Sequence, residues 1–495
     1  MTPQLFIVAC LLLPVLGALG TLATRGNPLP VLAAAIGSLA ASLALVVATA
    51  EGSVFALHVG NWPAPYGVVF VADGFAALML AVCSLVLVAS VIFSIKTLSP
   101  RYRRRHLFAL LSTLELGANG AFLTGDLFNL YVWFEVLLLS SFAIMAMVPG
   151  GRAHQATWRY VVINLVASLL FLVAAGLIYG KTGTLNFADL HRLFRATPHS
   201  FLIESSTALL FGAFAIKAAL IPLAFWLPKA YPVLPPALSA LFAALLTKIG
   251  LYALFRVFGM VLVVNGTFPH REILFWLAIV TMTGGVLGAV AQNDMRRILS
   301  FHIISQVGYM ALALALFTPL ALAGGIFYLV HHIVVKGNLF LVTGLVEQHR
   351  GSSRLDEISG IVRTSPLVAL LFAVPALSLA GLPPLSGFFA KFSLLMASLS
   401  LQDGIAAVAI ALVGLLTIYS MLKIWAAAFW GEPFGEYCPT KGVPLATSAA
   451  LGLITIVLGL ASGPVFALAK HAAAGLLDPQ AYLEAVLGSG NPDIP

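Results

Sequence analysis

A bilayer core is roughly 30 Å of hydrocarbon, and an α-helix crosses it with about 20 apolar residues. Stretches of that kind recur along this whole chain, near 4–22, 30–49, 72–95, 106–124, 127–148, 159–179, 205–227, 236–258, 272–291, 299–317, 319–346, 366–398, 405–430 and 445–468. Fourteen such spans predict an all-α polytopic membrane protein, because helices satisfy their backbone polar groups internally when no water is available. The composition agrees: 9% of residues are charged and 61% hydrophobic, where soluble domains carry about 25% charged residues. The opening Met1-Thr-Pro-Gln lacks the positive region of a signal peptide, so 4–22 is expected to stay as the first span.

The loop cations test this count. Odd-numbered loops hold Arg25, Lys96, Arg101, Arg103, Arg104, Arg105, Arg152, Arg159, Lys229, Arg296, Arg297, Arg350, Arg354, Arg363 and Lys441, fifteen in all. Even-numbered loops and the C-terminal tail hold five: Lys181, Arg192, Arg195, Arg271 and Lys470. The positive-inside rule then puts odd loops in the cytoplasm and both termini outside a multi-pass protein of the bacterial inner membrane. The net charge of +8 belongs to this orientation signal and gives no reason to expect nucleic acid.

Charges inside the spans cost several kcal/mol and are rarely kept without a task. Glu135 lies mid-span in NLYVWFEVLLLSSF, and a carboxylate at that depth calls for a cation beside it; Lys217 is the expected partner. A pair that only locks two spans together is the plainer reading. Lys248 has no acid in its own span, and the length of apolar chain before it argues against snorkelling. In FYLVHHIVVKGNLF, His332 and Lys336 share a helix face at i,i+4, while His331 points elsewhere. Histidine is the natural relay between amines, although a membrane histidine also serves as an interhelical hydrogen-bond donor. Lys391 in SGFFAKFSLL would end the series. Lys423, Glu115, His302 and His331 form a second rank: Lys423 lies near Trp425 and Trp430, where snorkelling is ordinary, and Glu115 could hydrogen-bond in neutral form. Arg256 reads as a snorkelling helix end, and Asp73 and Asp126 as N-caps.

Two of the lysines adjoin helix breakers. Pro222 follows Lys217, and GLPPLSG at 381–387 precedes Lys391. Lys217 precedes Lys248 by 31 residues and Lys391 precedes Lys423 by 32, with LLTKIGLYALF loosely echoed by SMLKIWAAAFW. Two five-helix units follow, spans 4–8 and 9–13, with spans 7 and 12 broken. An odd number of helices per unit forces opposite orientation, the inverted repeat of many transporters. The expected division is 1–105 for the first three spans, 106–258 and 259–430 for the two repeats, and 431–495 for span 14 and the tail. The sequence has no phosphate loop, metal cluster or nucleophile elbow, and its three cysteines are far apart. No cofactor or metal is therefore expected, and the chain reads as a transporter subunit rather than an enzyme.

GDLFNLYVWFEVLLLSSF, YGKTGTLNFADL, IKAALIPLAFWLPKAY with LLTKIG, NDMRRILSFHIISQVGYM and LAGLPPLSGFFAKF resemble the antiporter-like family. It includes the large proton-translocating subunits of respiratory complex I, membrane-bound hydrogenase subunits and Mrp-type multi-subunit Na⁺/H⁺ antiporters. The resemblance covers roughly 70–470 and is nearest to the Mrp type. Ala224 and Tyr231 stand where complex I homologues often have histidine. It implies fourteen helices with two inverted repeats, and a proton path through Glu135, Lys217, Lys248, His332, Lys336 and Lys391. It also implies the other antiporter subunits as partners in the lipid bilayer, with H⁺ and Na⁺ as the transported ions. The alternative it leaves open is a proton-pumping subunit of a complex I or hydrogenase type redox complex. A non-conducting scaffold subunit is the remaining, different class.

Overall fold

A computed structural model describes residues 2–104, 106–196, 201–433, 438 and 442–488. Arg105 and Lys441, both counted among the loop cations, lie outside the described residues. Among the described residues, twelve helices are long and apolar enough to cross a membrane, and two shorter apolar helices, Leu107–Leu123 and Pro366–Ala380, complete the fourteen expected spans.

Spans 7 and 12 are broken, as their prolines require. Span 7 is helical over Phe201–Ala218, leaves the helix at Ala219 (φ 63°), and resumes as the short helix Leu227–Ala230. Span 12 is Pro366–Ala380, an interruption, then Ser386–Ser400. The last expected span, 445–468, is too long: the helix ends at Leu460, and a separate helix, Ser462–Leu477, packs on spans 3 and 11. Leu460-Ala461-Ser462-Gly463-Pro464 is a run of small residues and a proline that breaks this helix. Also unexpected are a two-stranded hairpin, β1 (Phe55–His58) with β2 (Val69–Ala72), and a helix, Phe187–Ala196, polar on one face.

The apolar stretches of spans 8 (Pro236–Val261) and 11 (Pro319–Arg350) are enclosed by the others. Span 11 packs on spans 3, 8, 10, 12 and 14. Spans 1, 2, 6, 9, 13 and 14 form the periphery, where Leu16, Val47, Leu169, Leu415 and Leu460 point outward into the position of lipid or partner subunits. The enclosed spans carry Lys248, His332 and Lys336, so the fold places those charges farthest from lipid.

One ion pair corrects the sequence reading. Arg256 does not snorkel. It is 2% exposed and donates from both terminal nitrogens to Asp73, at 2.6 and 2.8 Å. Asp73 also caps span 3 as expected, accepting from Ala76 N–H at 2.9 Å. The Arg256 guanidinium further donates to the Tyr252 hydroxyl and lies between the rings of Phe75, Tyr252 and Tyr482. Removing one partner of such a pair leaves a buried charge and costs about 3–5 kcal/mol. Arg256→Met alone is therefore expected to lower the thermal midpoint of the purified protein sharply. Combining it with Asp73→Asn, which keeps the cap, recovers part of the loss. Equal midpoints for wild type and Arg256→Met would contradict this role.

Candidate functional site

The first repeat holds Glu135, Lys217 and Lys248. Glu135 lies on span 5, half-buried, with its Oε1 shut off from solvent and without a protein partner. Lys217 is 3% exposed, one residue before the end of the first half of span 7. Its Nζ donates to Ser168 Oγ at 3.2 Å and lies 4.7 Å from the centre of the Phe134 ring. The expected ion pair is not formed: Glu135 lies within electrostatic range of the amine, but no hydrogen bond or salt bridge joins them among the described residues. The ring of Phe134, one residue before Glu135 on span 5, takes the place beside the amine.

The break beside Lys217 is tightly held. Ile221 N–H donates to Thr281 Oγ1 on span 9 at 2.9 Å, and Trp226 Nε1 donates back to Ile216 O at 3.3 Å. Gly250 of span 8 faces the backbone here; a Cβ on it would lie 2.6 Å from Ala218 N and 2.8 Å from the Lys217 carbonyl carbon. Span 8 can approach the break only with glycine at that position.

Lys248, two residues before that glycine, is fully buried, which removes the snorkelling alternative. Its Nζ donates to Ala243 O at 2.5 Å and Thr247 Oγ1 at 3.1 Å, both on its own span. Lys336 is equally buried and donates to Leu299 O at 3.2 Å. It lies within electrostatic range of both Lys248 and Lys391, and so joins the two repeats. His332 is within range of Lys248 and Lys336, and neither of its ring nitrogens has a protein partner.

In the second repeat, Lys391 donates to Leu379 O at 2.9 Å and Ala380 O at 3.0 Å, the carbonyls freed where span 12 breaks. Its Nζ is 5.3 Å from the centre of the Tyr309 ring. His331 bonds Ser386 Oγ at 2.8 Å, at the start of the second half-helix. Gly387 allows the two halves to meet; a Cβ there would lie 1.8 Å from Ser378 O. His302 is fully buried, bonds Ser420 Oγ at 2.8 Å, and lies within range of Lys336 and Lys391.

Two second-rank residues lie apart. Glu115 accepts from Ser84 at 3.2 Å and sits beside Asn119, which donates to Cys10 O and Ser38 Oγ on spans 1 and 2. Cys83, next to Ser84, lies within range of both Glu115 and Lys248, so this group borders the axis from the side. Lys423 donates to Val290 O at 2.9 Å and Gln292 O at 2.7 Å, at the end of span 9. It is a cation on helix-terminal carbonyls, favourable in its own right. Lys423 does not sit deep as Lys248 does, so the echo between the repeats is limited to Lys217 and Lys391.

Gln306 and Tyr328 join the site without having stood out in the sequence. Tyr328 donates its hydroxyl to Gln306 Oε1, and Gln306 Nε2 has no protein partner. Gln306 stands four residues after His302 on one face of span 10, a spacing visible in FHIISQVGYM. With His302 Nδ1, His331 Nε2 and both nitrogens of His332, it makes five buried nitrogens in this region without a partner among the described residues. Buried groups of this kind are normally hydrogen-bonded.

Residues 124–417 match the family described as NADH:quinone oxidoreductase/Mrp antiporter, TM, which is more than half of the chain. The chain belongs to the NADH:quinone oxidoreductase/Mrp antiporter family. It is 43% identical over 459 residues to the D-type subunit of the Na⁺/H⁺ antiporter of Alkalihalophilus pseudofirmus, covering 92% of each chain. Among solved structures it resembles a chain of the Mrp complex from Dietzia sp., with a TM-score of 0.91 at 36% identity, covering 99% of this chain and all of that one. A chain of Thermus thermophilus respiratory complex I is also similar, with a TM-score of 0.81 at 25% identity over 95% of this chain and 99% of that one. The family match spans Glu135, Lys217, Lys248, Lys336 and Lys391, and leaves Glu115 outside it.

Proposed function

We propose that this chain is the proton-translocating, D-type subunit of a multi-subunit Na⁺/H⁺ antiporter, with the other antiporter subunits as partners. The observation that carries the reading is Lys336, fully buried, without a carboxylate partner among the described residues and within electrostatic range of both Lys248 and Lys391. Like charges so placed cannot all be held at once without a large cost, so a proton gained at one amine favours release from the next. Protons would pass through Glu135, Lys217, Lys248, His332 and Lys336 to Lys391. His331, His302 and Gln306 would flank the second half of the path, while Lys423 serves as a cap and Glu115 borders the axis. The names carried by the relatives favour exchange over redox-driven pumping, as do Ala224 and Tyr231, which stand where complex I homologues often have histidine. The protein would then be a secondary transporter component and not an enzyme. Its division would be 1–105, two repeats at 106–258 and 259–430, and 431–495.

The test is ΔpH-driven antiport in vesicles of an antiporter-deficient host that expresses the whole set of subunits. Lys217→Ala and Glu135→Gln are each expected to reduce Na⁺-dependent proton movement by about tenfold or more, as loss of a proton-transfer group does. Wild-type rates in either variant would remove that residue from the path. Absence of any Na⁺ response from the intact set would favour the redox-complex reading.

The outward placement of both termini has its own test. Cys438 is exposed in the loop between spans 13 and 14, while Cys10 and Cys83 are buried. A membrane-impermeant maleimide is expected to label this chain in inside-out vesicles and not in intact cells. Labelling in intact cells would reverse the topology.

A further inference from the structure

Span 6 begins at Gly151, on the side of the bundle that carries the excess of loop cations. A cavity of about 310 Å³ opens there, lined by Arg152, Arg159, Lys229 and Arg297, with Gln155 and no carboxylate. Among the described residues none of these four side chains has an ion pair or hydrogen-bond partner. Their neighbour Arg296 is committed elsewhere, to Glu347 and to the carbonyls of Pro232 and Leu234. The nearby Asp294 is occupied by Ser353 and by the Arg297 N–H. The positive end of the span 6 dipole adds to the field at the same place. Four cations around one cavity repel each other, and an anion among them relieves that cost.

A second cavity, of about 260 Å³, shares Arg159 and Lys229 with the first. Its remaining wall is apolar: Ile163, Pro222, Leu223, Phe225 and Trp226. Phe225 is 69% exposed, as is Trp158 beside Arg159. A basic cup that continues into an apolar notch on the membrane-facing periphery matches a phosphate with a hydrocarbon chain attached. Guanidinium groups suit the phosphate, since they bind its oxygens in bidentate fashion. Basic pockets between membrane helices on the cytoplasmic side are known to take anionic headgroups.

We propose that these two cavities form a binding site for an anionic phospholipid. Its phosphate is held by Arg152, Arg159, Lys229 and Arg297, and its chain lies along Pro222–Trp226. The apolar wall is the broken part of span 7, and Trp226 in it donates to the carbonyl of Ile216, the residue before Lys217. A lipid in this site braces the segment that ends on the Lys217 amine. The inference is independent of which ion the protein moves.

The test uses the assembled complex, purified in detergent and delipidated, titrated with dioctanoyl-phosphatidylglycerol, dioctanoyl-phosphatidylcholine or inorganic phosphate. Each cation near a phosphate is worth about fivefold in binding, so Arg159→Gln with Lys229→Gln is expected to weaken the phosphatidylglycerol affinity roughly 20-fold. Subunit composition and thermal midpoint stay unchanged, phosphatidylcholine binding does not respond to the substitutions, and inorganic phosphate fails to compete. Equal phosphatidylglycerol affinity in wild type and variant would overturn the proposal. So would competition by inorganic phosphate at the lipid's own potency, which marks a free-anion site. Loss of a partner chain from the variant complex would overturn it too, assigning the cavity to a protein partner.

Discussion

The arrangement depends on how an amine can be kept inside a membrane without a carboxylate. Lys391 rests on two carbonyls released by the break in span 12, Lys336 on the carbonyl of Leu299, and Lys248 on the carbonyl of Ala243. Lys217 rests on a serine hydroxyl and an aromatic face. These partners accept hydrogen bonds without carrying a formal charge. An ammonium has three donor hydrogens and a neutral amine keeps two, so the same contacts survive loss of the proton. An ion pair would favour one protonation state strongly, whereas carbonyl and hydroxyl acceptors hold the side chain in place and leave its charge free to change. At Lys391 the helix break is thus part of the chemistry, because it frees two carbonyls that an unbroken helix would spend on itself.

Arg256 and Asp73 show the opposite solution in the same chain. Arginine does not release its proton, and its two bonds to Asp73 are reinforced by Tyr252 and three aromatic rings. That pair ties the end of span 8 to the start of span 3 and, through Tyr482, to the C-terminal helix Gln480–Leu487. Lysine on neutral acceptors marks the proposed moving charge, and arginine on a carboxylate marks a fixed one.

Most of the architecture is legible in the sequence because a bilayer admits so few solutions. Apolar length locates twelve of the fourteen spans closely, and proline position locates both breaks, while span 6 is helical from Gly151, well before its expected start at 159. The end of span 14 is not legible in this way, because Ser462–Leu477 is nearly as apolar as a membrane span and only the small residues and Pro464 mark the interruption. At the site, the sequence identifies the deep charges but not their partners. Charge complementarity points Lys217 to Glu135, while its contact with Ser168 on span 6 depends on how three spans pack. Arg256 reads as snorkelling because its acid lies 183 residues away. Spacing alone places Lys423 with the deep lysines, yet it caps span 9. Gln306 is within reach of the sequence, since it shares a face with His302, but an uncharged side chain draws less notice in an apolar span.

The most direct test lies at the junction of the two repeats. Lys336→Met removes an amine that lies within range of both Lys248 and Lys391, while its replacement fills a similar volume on the enclosed span 11. In vesicles that contain the assembled complex, this variant is expected to assemble normally and to lose Na⁺-linked proton movement. Assembly with undiminished movement would contradict a continuous path across the two repeats, and would confine proton transfer to one of them.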